Sequence, residues 1–586
     1  MHVDTPRTDV SGPSFRSVTS PRSCIAPSND LSFILNPLRT ISPPVDPRLD
    51  SPHASSTGRQ GRANSVRSQA IPTSIAESNH EIAFLLRWFV EGPGWWMDLF
   101  DLDRYFSTYV PVKAVSSPML KYAAVAFSAK ALARVRGVKP TFGGTASVSA
   151  STEVFPRIKS IDWQHKATEY YDLALSLVRC MLQEDAALGG YHSPSDHGQT
   201  RSPAPSDLTQ RSPGTTSALS SLTFSHTNSD ELLAAAIILC LYEFLDDSGA
   251  EWSRHLEGAK NILDVAKVTM MPLKEQGHKL SRARRAMFWN LARQDMLSAF
   301  INRCHTRLDT EDLSMWIEAG LPLENGLLQP SRMGGDNFWQ HDDSMKEDMV
   351  SNALVWLESK LVNFMATGDE LLPGSDWTSL PQRTILEYWM HLKDHFDLWR
   401  SGLPPTFQPV ARVDPTNVPE GVANAQNDTT IPEVWYSNPM CASTMQHYHM
   451  SQIQLLLNKP HESTQLRTSV LQRLTSYEQV IVESRMHARE IVGISLSRLD
   501  ATARIHSVQP LYTAGQCLED VRERKLVLKL LREIEADTGW ASEYRVKALL
   551  QQWEWTEEEA FGYVSFAAAY DGSRIPQASV LSETRG

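Results

Sequence analysis

The sequence predicts an all-α protein: an irregular superhelical array of many helices, with a disordered N-terminal tail and one disordered internal insertion. Three observations lead there. Beyond about residue 78, apolar residues recur at intervals of three and four along most segments, the spacing that gathers them on one helix face. Helix starts carry capping residues and prolines, as at Ser117-Pro118, where a missing N–H costs nothing. No pair of alternating runs flanks a tight turn, so no β-hairpin is expected, and no regular period marks a strict repeat.

The 586 residues suffice for a large core or for two lobes of one helical array. Hydrophobic residues are 41% and charged residues 21% of the chain, a balance that folds. The formal net charge of −12 makes the folded body a poor partner for phosphate, which needs clustered Lys and Arg. No apolar run reaches the roughly 20 residues of a membrane span. The N-terminus (MHVDTPRTDVSGPSFRS) has no apolar leader core, so a cytosolic or nuclear protein is expected. Cys24, Cys180, Cys240, Cys304, Cys441 and Cys517 are scattered. A zinc site needs closely spaced thiolates, as in Cys-x-x-Cys, so that two reach one ion. These six read as free thiols, mostly buried, and no cofactor or metal is expected.

Residues 1–77 are rich in Ser, Pro, Thr and Arg and read as a disordered tail. Its Thr5-Pro6, Ser20-Pro21, Ser42-Pro43 and Ser51-Pro52 steps fit proline-directed phosphorylation or an ordinary solvated tail. Order begins near His80, in EIAFLLRWFV, and breaks at Gly92-Pro93-Gly94. The next helix is capped at Ser117 and rich in alanine, from Ala123 to Ala133, which lets neighbours approach closely. Asp162 caps another, whose stripe runs through Trp163, Ala167, Tyr170, Ala174, Leu177 and Met181. Residues 189–228 read as a disordered insertion containing Ser202-Pro203 and Ser212-Pro213. Helices are then expected over Glu231–Leu245, with Ser229 or Asp230 as cap, Trp252–Ala266 and Arg282–Arg303. A proline- and glycine-bearing loop follows, and then Met345–Phe364 and Thr384–Trp399. Residues 402–430 are polar and proline-rich and are expected to link a first lobe (78–401) to a second (431–560). The second lobe holds Pro439–Asn458, Leu466–Ile491, Ala503–Glu519, Val521–Ala536 and Ala541–Trp553, and residues 561–586 form a C-terminal tail.

Several groups invite a chemical reading. Asp246-Asp247 with Glu251 have the spacing of a Mg²⁺-diphosphate site in a helical lyase of the terpene synthase kind. The second ligand motif such an enzyme needs falls only at Asn29–Ser32, in the tail, so a solvated turn is the stronger reading. His255 lies beside the face formed by Trp252, Leu256, Ala259 and Leu263, with Gly258 admitting a close neighbour, and reads as a structural histidine. Glu243, Arg293 and Asp295 sit among apolar residues, which suggests one buried ionic network; breaking it would cost about 3–5 kcal/mol. His447 and His449 are two apart on a helix and make a poor metal pair. Arg522, Arg524 and Lys525 alternate with acids, as a solvated helix face does. The run Trp553–Phe561 (WEWTEEEAF) mixes acid and aromatic character. That composition suits an activation segment or a terminal helix that docks its tryptophans. No phosphate loop, nucleophile elbow or zinc-protease motif is present.

In order along the chain stand HEIAFLLRWFVEGPGWWMDLFDLDRYFSTYVP, SSPMLKYAAVAFSAKALARV, LLAAAIILCLYEFLDDSGAEWSRHLEGAKNIL, RRAMFWNLARQDMLSAFINRCHTRLDTEDLSMW, YHMSQIQLLLNKP and QPLYTAGQCLEDVRERKLVLKLLREIEADTGWASEYRVKALLQQWEW. Each block is weakly specific. Their serial order over residues 78–555 resembles the regulatory middle region of fungal zinc-cluster transcription factors. The resemblance implies a non-enzymatic nuclear regulator of metabolic or secondary-metabolite genes. It also implies partners among the transcription machinery or other regulators, and a homodimer. The six clustered cysteines with which that family reads DNA match no residues here. Zinc and DNA therefore enter only through an upstream module or through partners. A non-enzymatic scaffold of paired helices, and the Mg²⁺-dependent lyase, are the alternative expectations.

Overall fold

The structure is a computed structural model describing residues 77–135, 161–189, 217–245, 280–324, 326–329, 345–370, 382–414, 431–460, 470–497 and 499–561. The first helices are α1 (His80–Glu91) and α2 (Pro93–Met97), then a π turn (Tyr105–Tyr109), α3 (Val110–Ala114) and α4 (Pro118–Arg134). Next come α5 (Trp163–Gly189), α6 (Ser217–Phe244), α7 (Arg282–Asn302) and α8 (Leu313–Glu318). The strands β1 (Leu323–Glu324) and β2 (Leu327–Leu328) precede α9 (Glu347–Glu370) and α10 (Gln382–Ser401). A further pair, β3 (Ala411–Val413) and β4 (Glu433–Trp435), precedes α11 (Pro439–Leu457) and α12 (Val470–Leu496). The chain then forms α13 (Ala501–His506), α14 (Val508–Cys517), α15 (Val521–Thr538), α16 (Glu543–Trp553) and α17 (Glu557–Phe561).

The capping signals act where expected. Asp162 accepts the His165 N–H at 3.0 Å, and Asn79 accepts those of Glu81 and Ile82 at 2.9 and 3.2 Å, satisfying donors that a helix start leaves open. Pro118 opens α4, although the Ser117 side chain makes no cap bond. On α4, Ala123, Ala124, Ala126, Ala129 and Ala131 are wholly buried, and α1, α3, α5, α6 and α15 all pack against this helix. Small side chains permit that crowding.

The helix bounds differ from expectation in instructive places. α6 begins at Ser217, inside the expected insertion; the run SALSSL after Gly214 holds no breaker. Asp230 is therefore not a cap, and its carboxylate takes Arg284 Nε at 2.5 Å. The helix expected over Ala503–Glu519 splits at Ser507 into α13 and α14. Pro510 is the cause: it has no N–H to return to the His506 carbonyl, and its ring crowds that turn. Two short antiparallel ladders, Leu323↔Leu328 and Ala411↔Trp435, also appear. Strands of two or three residues are too short to show alternation. The expected linker is partly packed: Phe407 is wholly buried and β3 pairs with β4.

Among the described residues two large apolar cores form, beside a small cluster of Leu99, Phe100, Met440 and Ala503. One surrounds α4 and draws on α1, α5, α6 and α14–α16; the other surrounds α9 with α8 and α10. Helices on both sides of residues 402–430 contribute to each. The second core is rich in tryptophan, and each indole is pinned to a carbonyl: Trp289 to Ala319, Trp316 to Asp309, Trp356 to Thr310, Trp389 to Leu455 and Trp399 to Val350. Burying these rings is favourable because each N–H keeps a partner.

Cys24 lies outside the described residues. Cys240 and Cys441 are buried and Cys180 is exposed. Burial raises the Cys240 thiol and pushes Cys441 up to about 12. A thiol-specific disulfide reagent at pH 8 is expected to modify Cys180 in the native protein and spare Cys240 and Cys441 until denaturant is added. Rapid native labelling of either buried thiol would show that the cores open.

Candidate functional site

The two cores meet along α7. Ala286, Met287 and Leu291 belong to the first, and Phe288, Trp289, Ala292 and Met296 to the second. Between them runs a seam of buried polar side chains centred on Arg293. Backbone without helical partners gives rise to it. The chain leaves α2 in turns, and buried carbonyls there must find other donors. His506 Nε2 reaches Trp96 O at 3.2 Å, Asn290 Nδ2 reaches Met97 O at 3.1 Å, and Asn352 Nδ2 reaches Phe100 O at 3.3 Å. Asp98 accepts the N–H groups of Phe106 and Ser107 at 2.8 and 2.6 Å. Burial nonetheless pushes its carboxyl up to about 7. The His506 carbonyl, released by Pro510, accepts from His447 Nε2 at 3.2 Å.

Arg293 is only 9% exposed. Its Nη2 donates to Asn352 Oδ1 at 2.7 Å, and its guanidinium carbon lies 4.1 Å from the Phe100 ring centre. Burial pushes it down to about 9, with Glu358 and Asp101 opposing that shift, so it stays charged at neutral pH. Glu358 in turn holds His447 Nδ1 at 3.0 Å and Ser451 Oγ at 3.2 Å. Two cavities, each of about 10 Å³ and so with the room of a single water, flank the guanidinium. Asp101, Arg285 and Asp348 line the first and Glu358, Thr444 and His447 the second.

The sequence singled out Glu243, Arg293 and Asp295 as one network, and the structure corrects that grouping. All three are buried, but they point to different partners. Asp295 accepts the N–H groups of Arg307 and Leu308, both at 2.8 Å, and pairs with the Arg307 guanidinium at 3.3 Å. Glu243 accepts from the Tyr171 hydroxyl. Arg293 faces Asn352 and Phe100 instead. The signal for its true surroundings was the set of polar residues inside the apolar stretch of α9, namely Ser351, Asn352 and Glu358.

Other singled-out residues fall as follows. His447 joins the seam, whereas His449 Nδ1 meets His487 Nδ1 at 2.8 Å, so the two diverge. Arg522 and Lys525 are exposed, as a solvated face requires, whereas Arg524 is half-buried: it donates to Leu518 O at 2.8 Å and lies over the Trp553 and Trp555 rings. Asp246, Asp247, Glu251 and His255 lie outside the described residues, as does the expected helix Trp252–Ala266. Among the described residues no group of three or more metal-binding side chains converges, and no helix is long and apolar enough to cross a membrane.

The seam has a pH signature. Burial pushes His506 down from 6.5 to about 3, so it is neutral when folded and basic when unfolded. Unfolding therefore takes up a proton between about pH 3 and 6.5, and this part of the stability is complete above 6.5 and lost as pH falls below it. Asp98, raised to about 7, acts in the opposite sense, so the comparison must be between variants. His506→Asn is expected to flatten the fall in stability between pH 6.5 and 5 by about 1 kcal/mol per pH unit, measured by urea unfolding. An unchanged slope rejects the assignment.

The chain can now be set beside known proteins. Residues 96–335 match the fungal specific transcription factor domain. The chain is 44% identical over 506 residues to the transcription activator AMTR1 of Alternaria alternata, covering 83% of this chain and 65% of that protein. No solved structure matches. The matched region spans α2 to β2 and includes Arg293, and over it the chain belongs to the fungal specific transcription factor domain family.

Proposed function

We propose that this chain is the helical regulatory part of a fungal transcription activator, working in the nucleus on metabolic or secondary-metabolite genes. The single observation that carries the reading is the 44% identity to an activator over most of the chain. The chain spans about 65% of that relative's length, so its activity is inferred, not carried over. The chemistry of the seam supports a non-enzymatic role: every carboxylate in it serves a hydrogen bond or charge balance, and the flanking cavities hold no more than a water each. With a net charge of −12, the helical body works through the transcription machinery or other regulators. DNA is read by another module or a partner.

Deleting the gene and sequencing total RNA, with a fluorescent tag on the intact protein, tests this. The expected outcome is a nuclear signal and loss of a coherent set of metabolic transcripts. An unaltered transcript profile would sink the reading. Self-association, expected from the family, is checked by sedimentation of the purified chain.

A further inference from the structure

We propose that Trp555–Phe561 is a coactivator-binding strip stored against α15, with Arg532 as its clasp; this rests on the activator reading above. The strip begins where α16 is broken by Glu554 in a left-handed turn, φ 56°, a conformation unfavourable for a residue with a Cβ. It carries its own helix start. Thr556 N–H donates to Glu559 at 2.8 Å and Glu559 N–H returns to Thr556 Oγ1 at 3.3 Å, the reciprocal cap that lets a short helix hold its shape. Ala560 is buried and Trp555 and Phe561 are half-buried, whereas Glu557, Glu558 and Glu559 are exposed. One face is therefore aromatic and turned to the body, the other acidic and turned to solvent.

The contacts that hold the strip are of the kind a partner can replace. Arg532 Nη2 lies 2.8 Å from both Glu557 oxygens, and its guanidinium carbon is 4.0 Å from the Phe561 ring centre. Arg524 lies 5.7 Å from the Trp555 ring centre. Exposed ion pairs and cation–π contacts are individually weak; together with the packing of Ala560, Trp555 and Phe561 on the first core they hold a segment of little more than one helical turn, the kind that opens most readily. A partner offering an apolar groove rimmed by Arg or Lys would supply the same interactions. Docking and activation are then two states of one segment. The stored state is inhibitory.

The full chain, fused to a heterologous DNA-binding domain, is assayed on a reporter, and the purified chain is digested with chymotrypsin. Arg532→Gln is expected to speed cleavage at Trp555 and Phe561 and to raise reporter output severalfold. Adding Trp555→Ala and Phe561→Ala returns output to the parent level. Should Arg532→Gln accumulate poorly, because Arg532 also holds Glu543, Glu557→Gln removes only the clasp and moves both readouts the same way. Faster cleavage with unchanged or lower output overturns the inference, as does unchanged cleavage. Silence of every fusion despite faster cleavage overturns it alone, because the transcript experiment tests the activator reading independently.

Discussion

Asp295→Ala is expected to destabilise the protein by about 3–5 kcal/mol, since it removes the buried member of a charge pair and with it the acceptor of two backbone N–H groups. Asp295 is only 1% exposed and anchors the chain that follows α7. Two backbone N–H groups, Arg307 and Leu308, converge on its Oδ2 at 2.8 Å, with Arg307 Nη1 at 3.3 Å from Oδ1. Alanine takes the acceptor away from those donors, and the Leu308 N–H among them is buried. Burial raises the Asp295 carboxyl, and the donors from Arg307 and Leu308 oppose that rise. Asp295→Asn keeps an acceptor of the same shape and is expected to lose less. Urea unfolding of the purified chain measures both. An alanine variant within about 1 kcal/mol of the parent would show that water replaces the carboxylate.

Gly539→Ala is expected to cost about 2–5 kcal/mol, the sum of a left-handed penalty and an overpacking penalty. Gly539 ends α15 at φ +77°, a region glycine enters freely. A Cβ there would lie 2.3 Å from the Ala131 carbonyl oxygen, which is α4 backbone and cannot swing away. The same junction holds Arg134, whose Nε donates to Gly539 O at 2.8 Å and whose Nη2 pairs with Glu535 at 2.9 Å. Gly326→Ala is the control, because it shares a positive φ of +79° but among the described residues meets Leu313 alone, at 3.7 Å. It is expected to show the conformational cost alone, about 1–2 kcal/mol. Equal losses at the two positions would mean that α4 and α15 do not approach as closely as described.

Much of the helical order was legible locally. Arg282, Pro439 and Val521 open helices where the sequence placed them, because caps, prolines and three-four spacing act within one turn. The block order over residues 78–555 was legible for the same reason, and the family match within it at 96–335 agrees. The seam was not. Arg293 finds Asn352, Asn290 finds Met97, and His506 finds Trp96, pairs separated by long stretches of chain. Periodicity says which face is apolar but not which polar atom waits across the interface. The Glu243–Arg293–Asp295 grouping failed on that point: nearness in sequence and shared burial did not make them partners. The acid–aromatic run was legible as composition, while its docking on Arg524 and Arg532 depended on where α15 lies.

By itself the sequence determined that the chain is helical, where most helices start, and which family pattern it carries, since these depend on propensity, capping and the order of apolar stripes. Only the tertiary structure decided which buried charges meet, that Pro510 frees a carbonyl for His447, and that the C-terminal aromatics are covered. Those outcomes depend on desolvation and on donors contributed by distant helices, and neither exists until the helices pack.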